Sequence, residues 1–106
     1  MTTTPAGTGR VPSLADVRAH RGALTELAAR YGVTDIRVFG SVARGEANQF
    51  SDLDLLVGVE PGRGLLALSA FAAEVEDLLR VPTQVATVNG LKQRIRARVI
   101  AEAVPV

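Results

Sequence analysis

Cysteine is absent from the 106-residue chain, and histidine occurs once, as His20. Without cysteine, the sequence excludes a disulfide framework, a thiolate metal site and a cysteine nucleophile. A single imidazole can neither build a metal site nor be assigned as a catalytic base by itself. His20 stands between Ala19 and Arg21, which is more typical of a helix surface or a helix-packing position.

Long apolar runs are absent as well. No stretch of 18 consecutive residues is apolar, so we expect no membrane span. The first ten residues lack the apolar segment that a secretory signal needs. We therefore expect residues 1–12 to form a short disordered lead, residues 13–106 to form one domain, and the protein to be cytoplasmic.

An excess of charge is also missing, since the formal net charge is +1 at pH 7. The whole molecule is therefore not expected to bind nucleic acid electrostatically. The charge is unevenly distributed along the chain. Residues 80–106 contain five basic residues and a single acidic one, Glu102, which gives this stretch a net charge of +4. The basic run from Lys92 to Arg98 can meet phosphates or an acidic partner, although a solvated helix face is the commoner meaning of such a run.

Hydrophobic periodicity predicts alternating helices and strands. Ser13 with an acid three residues later is typical of a helix start, and Gly32 is typical of a helix end. The order of elements predicts a single small α/β (α+β) domain, with a mixed central sheet of three to four strands flanked by helices. The predicted helices cover 14–31, a short segment from Ser41 to Arg44 or Glu46, 65–79 and a segment after Gly90, and the predicted strands cover 35–39, 52–59 and 83–88.

Two carboxylates open the second predicted strand. Side chains two residues apart on a strand point to the same face, so Asp52 and Asp54 project together ahead of an apolar run. Like charges this close repel each other, and a divalent cation with oxygen ligands compensates both. Mg²⁺ is usually held by one or two carboxylates together with substrate phosphates. The pair is therefore our candidate for the metal ligands and the catalytic carboxylates.

A Gly-Ser turn precedes these carboxylates and follows the first predicted strand. Gly40 lets another group approach the backbone closely, and a short helix starting at Ser41 would present free N–H groups to an anion such as a phosphate. Arg44 can reach the same phosphate, although a salt bridge with Glu46 or Asp52 has equal weight. A phosphate-binding turn that faces a carboxylate pair favours metal-assisted phosphoryl or nucleotidyl transfer.

The spacing of these two motifs resembles a known signature. Gly40-Ser41, ten further residues and then Asp52-Leu53-Asp54 are similar to the signature of the minimal nucleotidyltransferases (MNT) of the DNA polymerase beta superfamily. The flanking strands agree with that pattern, and the resemblance covers residues 13–104, nearly the whole chain.

The resemblance implies a function. Many MNT proteins are antitoxins of HEPN ribonuclease toxins and are thought to transfer AMP from ATP onto a tyrosine of the toxin. By this resemblance, Asp52 and Asp54 would hold Mg²⁺, and Gly40, Ser41 and Arg44 would hold the nucleotide. The HEPN toxin would be the partner in a hetero-oligomeric complex, and neither direct nucleic-acid binding nor a membrane is expected.

One position departs from the family pattern. The family usually carries a third carboxylate on the strand after the long helix, and the matching position here is Gln84. A glutamine is neutral and is a poor base, whereas the third carboxylate normally helps to hold the metal and to deprotonate the attacking hydroxyl. The sequence therefore supports nucleotide binding more strongly than it supports catalytic turnover.

Three functions remain open at this point. The first is the Mg²⁺-dependent protein adenylyltransferase and antitoxin. The second is an antitoxin of the same fold that neutralises its toxin by binding alone, which Gln84 favours. The third is one subunit of a nucleotidyltransferase that acts on a small molecule such as an aminoglycoside, and the lack of a second domain for the acceptor argues against it.

Overall fold

The computed structural model describes residues 11–106, so most of the predicted disordered lead lies outside the described residues. Within that range the chain alternates helices with strands, as the periodicity predicted. In that part of the chain, no helix is long and apolar enough to cross a membrane. The elements are α1 (Leu14–Ala19), α2 (Arg21–Tyr31), β1 (Val33–Phe39), α3 (Gly40–Arg44), β2 (Leu53–Val59), α4 (Leu65–Leu79), β3 (Thr83–Ala86), α5 (Gln93–Glu102) and β4 (Val104–Pro105).

The predicted first helix is divided in two at His20, so the single helix over 14–31 is wrong. The Ser13 hydroxyl caps α1 by accepting the N–H of Asp16, as expected. At His20 the backbone N–H bonds the carbonyl of Val17, and the ring Nδ1 lies 2.9 Å from the carbonyl of Asp16. The imidazole thus occupies the carbonyl of Asp16, which the backbone N–H of His20 would bond in a continuous α-helix. Helix α2 begins at the next residue and is capped by Gly32, which has a left-handed φ of 73°.

The sheet is mixed and four-stranded, with the order β3-β2-β1-β4. Strand β1 pairs antiparallel with both β2 and β4, and β2 pairs in parallel with β3 across the α4 crossover. This confirms the predicted small α/β (α+β) domain with a mixed central sheet.

Some boundaries differ from the prediction. Helix α3 begins at Gly40 rather than Ser41, and β2 begins at Leu53, just after Asp52. Strand β3 is shorter than predicted, because the carbonyl of Thr87 accepts the N–H groups of Gly90 and Leu91 and turns the chain. The two-residue strand β4 had no predicted counterpart.

The hydrophobic core lies between one face of the sheet and the helices α2 and α4. Leu53, Leu55 and Val57 alternate along β2, so all three side chains face this core and are buried. On the helical side, Leu24 of α2 and Phe71 of α4 are also fully buried. Asp54 therefore lies on the opposite face of β2 from the core, where the candidate site is found.

Polar bonds join α4 to its neighbours and fix the place of β3. The hydroxyl of Tyr31 donates to a carboxylate oxygen of Glu74 at 2.7 Å, which ties α2 to α4. The carboxylate of Glu76 accepts the backbone N–H of Thr83 at 2.9 Å, which holds the start of β3 against the end of the same helix. The strand that carries Gln84 is therefore anchored at its first residue.

Helix α4 offers a matched test of the core. Leu79 is 2% exposed and Leu66 is 86% exposed on the same helix. We expect Leu79→Ala to lower the free energy of unfolding by about 2–5 kcal/mol, because it removes buried methyl groups and leaves a cavity. The control Leu66→Ala should change it by no more than about 0.5 kcal/mol. Urea unfolding of both variants measures this, and equal losses would contradict the assigned core face of α4.

Candidate functional site

The Gly40 turn lies directly against Asp54. Strand β1 pairs with β2 up to the partners Phe39 and Asp54, so the next residue, Gly40, emerges beside that carboxylate. Gly40 has a φ of 77°, and a Cβ placed on it would collide with Oδ2 of Asp54. Only glycine meets both conditions, since it adopts positive φ without strain and has no side chain. The predicted phosphate turn and the predicted metal ligand are thus in contact.

Asp54 is a half-buried carboxylate with a perturbed acidity. Burial, the negative charge of Asp52 and that of Glu102 raise the pKa of Asp54 to about 6, while the nearby Arg44 acts in the opposite direction. The structure therefore brings Asp52 and Asp54 close enough to repel each other, as the strand pattern predicted. In the described part of the chain, no three acidic or histidine side chains converge into a complete metal site.

The loop that leads to Asp52 is fixed by its own side chains. The N–H of Phe50 donates to Oδ1 of Asn48, and the N–H of Asn48 donates to the hydroxyl of Ser51. Leu53, just after Asp52, then donates its N–H to the carbonyl of Pro82 at 2.8 Å. These bonds hold the acidic start of β2 in place beside the start of β3.

Ser41 and Arg44 both lie on α3, the short helix that follows the turn. Ser41 is half-buried. The guanidinium of Arg44 bonds two carboxylates, with Nε 2.9 Å from Glu46 and Nη1 2.7 Å from Glu102. The salt bridge with Glu46 was one of the sequence alternatives, and an Arg44–Asp52 ion pair does not occur among the described residues. The hydrogen bonds with Glu46 and Glu102 raise the pKa of Arg44 above its usual value.

Glu102 is a site residue that the sequence reasoning missed. One carboxylate oxygen accepts the backbone N–H of Gly40 at 2.6 Å, and the other accepts Nη1 of Arg44 at 2.7 Å. Burial alone would raise the pKa of Glu102, but the hydrogen bonds from Arg44 and Gly40 outweigh it and hold the pKa below its usual value. The only available signal was that Glu102 is the single acid in the otherwise basic stretch 80–106.

Gln84 lies next to Asp54 on the neighbouring strand. In the parallel register of β2 and β3, Gln84 is the partner of Asp54. Paired residues of neighbouring strands share a face, so both side chains project on the side away from the core. Gln84 is exposed, and no other residue of β3 is acidic. The position is therefore adjacent to the carboxylate pair, as a third carboxylate would have to be.

Because the pKa of Asp54 is raised, we expect replacement of this residue by a neutral one to stabilise the protein, by an amount that depends on pH. Because the folded-state pKa is raised to about 6 from an ordinary 3.8, the charge opposes folding increasingly as the pH rises between these values, and fully above them. In metal-free protein, Asp54→Asn should therefore raise the free energy of unfolding at pH 7.5 by about 1 kcal/mol, a value reduced for partial exposure. At pH 3.5 both side chains are neutral, and the gain should vanish.

Chemical unfolding of the wild type and Asp54→Asn at the two pH values measures this difference. The low-pH pair serves as the control for any change in packing. A gain of equal size at both pH values would show that the amide packs better, and that the acidity of Asp54 has no part in it.

Comparisons with known proteins agree with this geometry. The profile of the family described as nucleotidyltransferase domain matches residues 20–106. Protein adenylyltransferase MntA of Thermococcus cleftensis is 40% identical over 79 residues, which cover 74% of this chain and 80% of the relative.

Solved structures give the same result. A structure described as a "putative minimal nucleotidyltransferase" superposes with a TM-score of 0.79 at 46% identity, covering 90% of this chain and 97% of the other. A toxin–antitoxin crystal structure with AMP-PNP superposes with a TM-score of 0.67 at 16% identity, covering 79% of this chain and 69% of the other, and so shares the fold. The chain therefore belongs to the nucleotidyltransferase domain family, as its resemblance to the minimal members indicated.

Proposed function

We propose that this protein is an MNT-type antitoxin that uses ATP and Mg²⁺ to transfer AMP onto a tyrosine of a partner HEPN ribonuclease toxin. The observation that carries the proposal is the contact between the Gly40 turn and the Asp54 carboxylate. The name of the Thermococcus cleftensis relative, a protein adenylyltransferase, supports the reaction class. A ribonuclease toxin acts where cellular RNA is, so the proposal places the pair in the cytoplasm.

Asp52 and Asp54 suit a magnesium ion. Burial and mutual repulsion make the negative charge on Asp54 unfavourable, and the attraction of a bound cation would offset both penalties. Two carboxylates are what the protein usually contributes to Mg²⁺, because substrate phosphates and water complete its octahedron. When bound, the ion would neutralise charge that develops on the phosphates during transfer.

Ser41 and Arg44 suit the triphosphate. The hydroxyl of Ser41 and the N–H groups that follow the turn lie at the start of α3. Arg44 has five guanidinium N–H donors, and its contacts with Glu46 and Glu102 use two of them, which leaves three for phosphate oxygens. Gly40 contributes by having no side chain, which allows the turn to lie against Asp54.

In the proposed reaction the phenol oxygen of a toxin tyrosine attacks the α-phosphorus of ATP. A new oxygen–phosphorus bond forms, the bond to pyrophosphate breaks, and the phenol proton passes to solvent water. Gln84 cannot accept that proton, because its amide is neutral. The missing base should make transfer slow. A phenol has an ordinary pKa of about 10 and loses its proton more readily than an aliphatic hydroxyl, so we expect slow transfer rather than none.

A second candidate function is neutralisation of the toxin by binding alone. The observation that favours it is Gln84, which lies beside Asp54 where the family usually carries an acid. Among the described residues, no third acidic side chain joins Asp52 and Asp54 in a metal site. In this case the chain would keep the fold and nucleotide binding but would not turn over.

The first prediction of the proposed function concerns nucleotide binding. Calorimetry should show that the wild type binds ATP with Mg²⁺ and that Asp54→Asn weakens the binding at least about tenfold, since a close charge contact is lost. Asp77→Asn on the exposed face of α4 makes the same chemical change away from the site and should bind like the wild type. Equal affinity of Asp54→Asn and Asp77→Asn would remove Asp54 from the proposed metal site.

The second prediction separates transfer from binding alone. When the protein is coexpressed with a HEPN toxin, the two should co-elute as a complex in size exclusion, and the growth of the cells that express the toxin should be restored. With ATP and Mg²⁺, the mass of the toxin should increase by one or more AMP units. Gln84→Asp should accelerate this transfer, because a general base is typically worth ~10² to 10⁴ in rate.

Each outcome of this experiment decides one function. If wild type and Gln84→Asp both bind and inhibit the toxin without changing its mass, the antitoxin acts by binding alone. If the wild type is already as fast as Gln84→Asp, the reaction needs no acid at position 84. Absence of both co-elution and growth rescue would reject the antitoxin role altogether.

A further inference from the structure

Glu102 bonds two parts of the proposed nucleotide site, the backbone of the Gly40 turn and the side chain of Arg44. Its two carboxylate oxygens accept the N–H of Gly40 and Nη1 of Arg44, at 2.6 Å and 2.7 Å. We propose that Glu102 is a positioning residue, which holds the Gly40 turn and the Arg44 guanidinium in the arrangement that receives the triphosphate. This inference rests on the proposed function, because it concerns the same site.

Helix α3 needs such a contact to keep its place. It has five residues, of which only Val42 is buried, and its N-cap residue, Phe39, makes no side-chain capping bond. A helix this short has no stability of its own, because nucleation is costly and few bonds follow it. The first N–H groups of a helix also lack partners within it. Glu102 supplies an acceptor for the N–H of Gly40.

Glu102 is itself held firmly by the sheet. It is the last residue of α5, whose buried Val99 packs into the protein. Two residues later the chain enters β4, where Val104 pairs with Val38 of β1. The carboxylate of Glu102 and the turn at Gly40 are therefore both attached to the same end of β1. This shared attachment lets Glu102 set the position of the turn.

Arg44 gains its orientation from the same contact. Its side chain is 46% exposed, whereas that of Glu102 is only 19% exposed. An exposed arginine samples many rotamers, and a charged bond to a fixed partner selects one of them. Glu46 also bonds Arg44, but its side chain is 66% exposed and it does not reach Gly40. Glu46 is therefore a matched control for the loss of a carboxylate from the same guanidinium.

The test measures binding of ATP with Mg²⁺ to the full chain by calorimetry. Glu102→Gln keeps the shape of the side chain and removes its charge, and we expect the Kd to rise about tenfold, as for loss of a hydrogen bond to a charged group. Glu46→Gln should stay within about twofold of the wild type. Glu102→Asp keeps the charge but is one methylene shorter, and it should also bind more weakly because it cannot bridge both donors.

A double-mutant cycle tests whether Glu102 acts through Arg44. Arg44→Gln should weaken binding, and Glu102→Gln in that background should add a smaller further loss than it causes in the wild type, since only the Gly40 turn is left for Glu102 to hold. If Glu102 acted independently of Arg44, the losses of the two single variants would instead multiply in full. Thermal unfolding of each variant, with a melting temperature near that of the wild type, shows that the fold is intact.

A readout without nucleotide separates this inference from the proposed function. In NMR spectra of the free protein, Glu102→Gln should shift the amide resonance of Gly40 and speed its hydrogen exchange, and Glu46→Gln should not. If the wild type fails to bind ATP with Mg²⁺, the proposed function fails, and the Gly40 amide still decides whether Glu102 holds the turn.

Two results would overturn the inference. An unchanged Gly40 amide together with unchanged affinity in Glu102→Gln would show that the carboxylate holds nothing. Tighter nucleotide binding in Glu102→Gln would show the opposite role, in which Glu102 occupies the place of a phosphate and competes with it.

Discussion

The close approach of the Gly40 turn to the Asp54 carboxylate is the constraint on which the site depends. The β1–β2 pairing ends at Phe39 and Asp54, and the chain leaves it at once through a residue with a φ of 77°. Any side chain at position 40 would push the turn away from the carboxylate. The sheet register thus sets how a phosphate held by the turn would face a metal held by the acids.

The fold keeps this arrangement although it is unfavourable by itself. Asp54 cannot move away, because Leu53 and Leu55 on either side are fully buried in the core. Burial and repulsion therefore act on a carboxylate at a fixed position, and its pKa rises to about 6. Sites that bind charged ligands commonly carry such a cost, which the rest of the fold offsets. In this protein the offset comes from the apolar layer under the same strand.

The parts that sequence patterns predicted are local, and those they missed are not. The carboxylate pair and the Gly-Ser turn lie within fifteen residues, so strand periodicity and turn chemistry place them correctly. Glu102 lies 62 residues from Gly40 along the chain, and no local pattern joins them. The break at His20 was missed for another reason, since a side chain there competes for a backbone carbonyl within an otherwise regular helical pattern.

In the proposed function, Glu102 and Gln84 together would separate nucleotide binding from turnover. Glu102 brings a carboxylate to the site, but Arg44 and Gly40 engage both of its oxygens and hold its pKa low, so it is a poor base. In that function it could not replace the third acid that the family usually carries at the position proposed for Gln84. Binding would rest on the turn and Arg44, whereas proton removal would need a group beside Asp54. Such a chain would keep nucleotide affinity with little turnover, which makes both proposed modes of neutralisation compatible with one site.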